Sequence, residues 1–164
     1  MISITIKDIP QFMNKLLISD TFDGFCMSEA DIATGCTYTI DGRINSAFYS
    51  QEEIDAMPSS RYTTWKNIRP FAFSIVKGSR VPKHLRITMV LPESKTAEII
   101  EKNSLDYEPE TVNGLFLNIR YQDGSATMTT ASSLSVFTLD RSLDEAFERY
   151  IFEFLSESGI SYEE

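Results

Sequence analysis

Histidine, cysteine and clustered glycine are nearly absent from this 164-residue chain, and each scarcity removes a class of chemistry. One histidine, His84, rules out a histidine-built metal centre. Two cysteines, Cys26 and Cys36, are too few for a disulfide scaffold or a structural zinc site. Both fall in strand-like sequence and are expected as buried, reduced thiols, a bridge between them being the alternative. The seven glycines never form a Gly-x-Gly arrangement, so no phosphate-cradling loop is present. No apolar run approaches the ~20 residues that span a bilayer. The opening residues Met1–Asp8 alternate like a strand and lack the features of a secretory leader, so a cytoplasmic protein that does not engage membranes is expected. Ser132-Ser133 lacks the surroundings of a nucleophile elbow, and the acid pairs Glu52-Glu53 and Glu163-Glu164 have the look of solvated charges. No residue is assigned a catalytic or metal-binding role, and no cofactor is implied.

A further absence is regional. The chain is acidic, with formal charge −9, yet no Asp or Glu lies between Ala56 and Pro92. That stretch holds Arg61, Lys66, Arg69, Lys77, Arg80, Lys83 and Arg86, together with the only tryptophan, Trp65, and His84. A charge split of this kind needs an anionic partner, an acidic neighbour in the fold or a self-association surface. Four readings follow. Lys77, Arg80 and Lys83 can complement a helix C-terminus and pair with acids elsewhere, at about 0–1 kcal/mol per surface pair. Trp65, Lys66, Arg69, Lys77, Arg80, Lys83 and Arg86 can instead form a site for nucleic acid or an acidic protein through residues 61–86, an aromatic plane combined with charge-assisted donors. The same window can face the acidic surface of a second copy. A small anionic ligand, bound or turned over, is the fourth.

Hydrophobic periodicity supplies the architecture. Ile2-Ser3-Ile4-Thr5-Ile6 alternates as a strand and leads through Asp8, a cap, and Pro10 into a helix carrying Ile9, Phe12, Met13, Leu16 and Leu17. Leu85–Met89, Leu91-Pro92 and a helix through Ile99 and Ile100 repeat that order. Strands follow in each half: Asp20–Thr34 and Cys36–Ile40 in the first, Gly114–Tyr121, Ser125–Thr130 and Leu134–Leu139 in the second. Asp123-Gly124 between alternating strands is a hairpin signal. Trp65–Lys77 is read as helix, broken or bent at Pro70, although Phe71, Phe73 and Ile75 also alternate as a strand would. Leu143, Phe147, Tyr150, Ile151, Phe154 and Leu155 predict a closing helix that stops at Gly159. The fold class is therefore α+β, with two related β-α-β-β-(β)-α halves, at about 1–80 and 84–158, in one compact unit. Its antiparallel sheet carries helices on one face, and residues 159–164 are expected to fray.

In element order such duplicated units are similar to the DNA sliding-clamp fold and to the saddle of the TATA-binding protein. Four segments carry a closer likeness: Phe12–Leu17, Trp65–Pro70, Ile75–Gly78 and Asn113–Tyr121. Together they resemble an uncharacterised bacterial family, a domain of unknown function spanning nearly the whole chain. That resemblance implies a cytoplasmic bacterial protein and supplies no activity. The expected role is a non-catalytic binding or interaction module with a local basic surface.

Overall fold

The computed structural model describes residues 1–78 and 80–164. Its strands are β1 (Ser3–Ile6), β2 (Cys26–Ala33), β3 (Thr37–Asp41), β4 (Thr63–Thr64), β5 (His84–Val90), β6 (Val112–Gln122), β7 (Ser125–Leu134) and β8 (Tyr162–Glu163). Its helices are α1 (Ile9–Leu17), α2 (Gln51–Asp55), α3 (Trp65–Val76), α4 (Glu93–Lys102) and α5 (Ser142–Glu157). The strands form one antiparallel sheet in the order β3-β2-β5-β6-β7-β1-β8, with β4 also paired to β2.

One face of this sheet is apolar because the pleat sends alternate residues the same way. Across β2, β5, β6, β7 and β1, Ala30, Ile87, Ile119, Met128 and Ile4 stand in register and are all buried. Phe12 and Leu16 of α1 and Leu143, Phe147, Ile151 and Leu155 of α5 join the same core. Phe22 meets Phe12 and Phe154 edge-on, with ring centroids 5.9 and 5.1 Å apart, so the segment after α1 is anchored against α5. The opposite face is polar. Asp31, Arg86, Arg120 and Thr127 form one cross-strand row, and Glu29, Thr88, Asn118, Thr129 and Ser3 form the next.

Local signals explain most boundaries. Asp8 accepts the Gln11 amide at 3.1 Å and caps α1, with Pro10 in its first turn. Ser50 and Glu53 form a capping box on α2. Asp123 and Gly124, both at positive φ, make the tight β6–β7 turn. Trp65–Val76 is a single helix that runs through Pro70, which settles the helix-or-strand alternative.

Three expectations need correction. Residues 135–139 alternate like a strand but have no strand beside them; β7 stops at Leu134, leaving Phe137 and Leu139 about nine-tenths exposed. A periodic pattern becomes a strand only where a neighbour accepts its hydrogen bonds. The tail does not fray: Gly159 turns the chain at φ 68°, Ile160 is buried, and β8 pairs with β1. Cys36 is exposed rather than buried, since it sits in the β2–β3 connection at the sheet edge; both cysteines are free. The halves match in their β-α openings but use them differently, as β5 lies between β2 and β6 whereas β1 lies between β7 and β8.

Candidate functional site

The structure ties Arg61 to the Asn113 carbonyl at 2.8 Å and sends the rest of the basic window to three separate places. The first is the start of α3. Thr64 Oγ1 accepts the Asn67 amide at 3.3 Å and caps the helix, which fixes Trp65 at its first position. Trp65 is fully buried, and its indole N–H donates to the Leu16 carbonyl at 2.9 Å. It is a core anchor and cannot stack on any partner, contrary to the expectation for an aromatic beside Lys66 and Arg69. Arg69 is also committed internally. Its guanidinium donates to both Asp23 carboxylate oxygens at 2.9 Å and to the Ile18 carbonyl at 2.7 Å, tying α3 to the turn after α1. Lys66, on the same turn, points to solvent.

The second place is the open sheet face. Arg86 pairs there with Asp31, whose carboxyl is held below its usual range by the Thr39 hydroxyl and then by Arg86 itself. Glu29 lies 4.0 Å from the same guanidinium. Asp31 and Arg86, together with Arg120, His84 and Thr37, line a shallow depression of about 350 Å³. Arg120 spends one amino group on Gln122 Oε1 at 2.7 Å, and His84 Nδ1 is buried with no partner among the described residues. Asp31 and Glu29 balance Arg86 and Arg120, so this face carries no net positive charge. Lys83 is exposed just before β5, its amide donating to the Ala33 carbonyl at 2.8 Å.

The third place is a groove of about 590 Å³ between α1 and the C-terminal end of α3. Its walls are Ile9, Pro10, Met13, Leu17 and Ile18 on one side and Phe73 and Val76 on the other, with Val81, Pro82 and Tyr121 closing it. Lys77 and Arg80 stand at its edge, both exposed. Neither forms an ion pair among the described residues. Large side chains remain open here: Ile18 is 53% exposed and Val81 78%. The groove's apolar lining escaped sequence reasoning because Ile9, Met13 and Leu17 also satisfy the core periodicity of α1. Val81 was the available signal, a large apolar residue in a stretch of sequence otherwise made of Gly, Ser, Arg, Pro and Lys.

A larger cavity, about 760 Å³, lies elsewhere, under the unpaired segment 135–140 and beside α5. Ser132 Oγ donates to Asp144 there and joins β7 to α5, while the Tyr107 hydroxyl donates to the Asp140 carbonyl at 3.2 Å. Neither histidine nor lysine lines it. Among the described residues no group of three His, Cys, Asp or Glu side chains is arranged to hold a metal ion, and no helix is long and apolar enough to cross a membrane.

No curated protein and no solved structure matches the chain, so the likeness in element order to clamp and saddle folds brings no function with it. The closer likeness, to an uncharacterised family, is met over nearly the whole length: a family model matches residues 15–163, and the chain belongs to that family of unknown function, DUF5721.

Proposed function

We propose that this chain is a non-catalytic interaction module whose α1–α3 groove receives an amphipathic segment of a partner protein, apolar on one side and acidic at one flank. The observation that carries this reading is the junction of an open apolar groove with two cations, Lys77 and Arg80, that have no ion-pair partner among the described residues. An exposed apolar concavity gains roughly 1.5–3 kcal/mol for each large side chain it buries. Two or three such anchors supply about 3–9 kcal/mol before an association cost of at least about 4 kcal/mol, so affinities of submillimolar order or weaker are expected. Met13, an adaptable thioether at the groove wall, suits a helical or extended guest. The cations add steering and direction more than affinity. A nucleic-acid partner fits less well, since Trp65 is unavailable for stacking and the window's cations are divided between opposite sides of the sheet. A cytoplasmic setting is part of the proposal, supported by two free cysteines, one of them exposed.

The test is selection of a random peptide library on the purified chain, followed by anisotropy titration of the winners. Selected peptides are expected to share an apolar repeat with an acidic flank. Their affinity should fall at least tenfold in Met13→Lys and lose its salt dependence in the double variant Lys77→Glu/Arg80→Glu. A lack of enrichment, or binding indifferent to Met13→Lys, defeats the reading. So does binding of a single-stranded oligonucleotide at another surface with no peptide bound in the groove.

A further inference from the structure

The two edges of the sheet are unlike. β8 is two residues long and runs into Glu163-Glu164, and a short, charged edge resists pairing with another chain. β3, at the other edge, lacks most of the usual protection, its one charged residue being Asp41. Its sequence Thr37-Tyr38-Thr39-Ile40-Asp41 contains no lysine, no proline and no bulge against β2, and four of its five residues are exposed. Tyr38 is 44% exposed.

The register also says which backbone groups are free. Gly42 N–H donates to Ser28 of the β2 side, and the Cys36 carbonyl accepts from Thr34. Because N–H and C=O of one residue point the same way and alternate along a strand, Tyr38 and Ile40 are spent on β2. Thr37, Thr39 and Asp41 therefore aim both their amides and their carbonyls outward, to the open side.

We propose that β3 is a self-association edge, and that a second copy of this chain pairs with it antiparallel about a two-fold axis through Thr39. In that register Thr39 faces Thr39 of the second copy, and Thr37 faces Asp41. Each outward residue then exchanges both backbone hydrogen bonds with its opposite. On the helix-side face Tyr38 comes against Ile40 of the second copy, an aromatic and β-branched pair of the kind that stabilises sheets. On the polar face Thr39 is already held by Asp31, through its hydroxyl at 2.8 Å, so its conformation does not change on pairing. Asp41 brings no unpaired charge to the seam, since Arg43 forks onto both its oxygens at 2.7–3.1 Å. The edge is thus self-complementary in hydrogen bonding, side-chain packing and charge, which singles out a second copy over an unrelated strand. This proposal is independent of the α1–α3 groove, which lies on another element pair.

Sedimentation velocity over a wide concentration range gives the first result. The mass is expected to rise from 18.6 kDa to twice that value. Thr39→Lys, which sets two like charges opposite one another on the axis, should raise the midpoint concentration at least tenfold, whereas Met13→Lys in the groove leaves it unchanged. Cross-linking supplies a measurement that does not depend on weakening the fold. In a Cys36→Ser background, Thr39→Cys should form a disulfide dimer under mild oxidation, and Thr37→Cys should not, because Thr37 faces Asp41. A monomer at every concentration overturns the proposal. A dimer untouched by Thr39→Lys, or one that cross-links equally through position 37, also overturns it.

Discussion

Replacing Trp65 with phenylalanine tests whether the only tryptophan is a structural anchor. Leu16 lies in the last turn of α1, where carbonyls lack intrahelical partners. Asn14 O accepts from the Ile18 and Ser19 amides, and Lys15 O accepts from the Ser19 hydroxyl. Leu16 O accepts from the Trp65 indole. Phenylalanine removes that donor and leaves a buried carbonyl unsatisfied, at a cost of about 1–3 kcal/mol. The smaller ring also leaves a void in the core around Trp65, adding about 1–2 kcal/mol. The expected loss is therefore about 3 kcal/mol, or ~6–12 °C in Tm for a chain of this size. Urea unfolding followed by far-ultraviolet circular dichroism measures it without relying on tryptophan emission. In the wild type that emission should be blue-shifted and shielded from iodide. A loss below about 1 kcal/mol, or ready quenching, would refute the burial and the hydrogen bond together.

Arg69→Met is expected to cost about 2 kcal/mol, because it leaves the Asp23 carboxylate without its fork; both side chains are less than a fifth exposed. The Lys77→Glu/Arg80→Glu variant should stay within ~0.5 kcal/mol of wild type by the same urea assay, since both sites are solvated surface. Thiol titration with an aromatic disulfide should find one fast cysteine, Cys36, and one released only by denaturant. Cys26 is buried, and that burial, helped by the charge of Glu93, pushes its thiol up to about 11. Asp41 is held at about 2 by hydrogen bonds from the Arg43 side chain and then its backbone. Its folded value lies below the ordinary 3.8, so its contribution is complete above pH ~4 and lost as pH falls toward 2. Asp41→Asn should flatten the acid limb of a Tm-against-pH curve over that window; an unchanged limb would contradict the Asp41–Arg43 geometry.

Elements whose partners are local were legible in the sequence. The Asp8–Pro10 start of α1, the Asp123-Gly124 hairpin and the 143–155 apolar stripe each encode a structure that needs little from the rest of the chain. The α+β class followed from them. What escaped depends on distant neighbours. Residues 135–139 have the same alternation as β7 but no adjacent strand. Residues 160–164 have little periodicity yet gain order from β1. The basic window misled for a related reason: charge density along the chain does not say which side of a sheet each cation reaches. Arg69 turns inward to Asp23, Arg86 lies on the polar face, and Lys77 and Arg80 reach the groove. Trp65 is buried because Leu16 and Phe25 surround the start of α3 with acceptors, a fact of tertiary placement.

The position of β1 bears on how the chain is made. Ile2 donates to Thr130 Oγ1 across 128 residues of sequence, and Ile4 faces Met128. During synthesis from the N-terminal side, β1 emerges long before either of its partners, β7 and β8. The β2–β5–β6–β7 part of the sheet can pair strand by strand, while the apolar strip of Ile4 and Ile6 waits. Such long-range closure is slow, and an unpaired apolar strand is open to wrong partners meanwhile. The closing event in building this sheet is thus the insertion of a strand made well before its partners, and β1 stays open to misplaced pairing until β7 is complete.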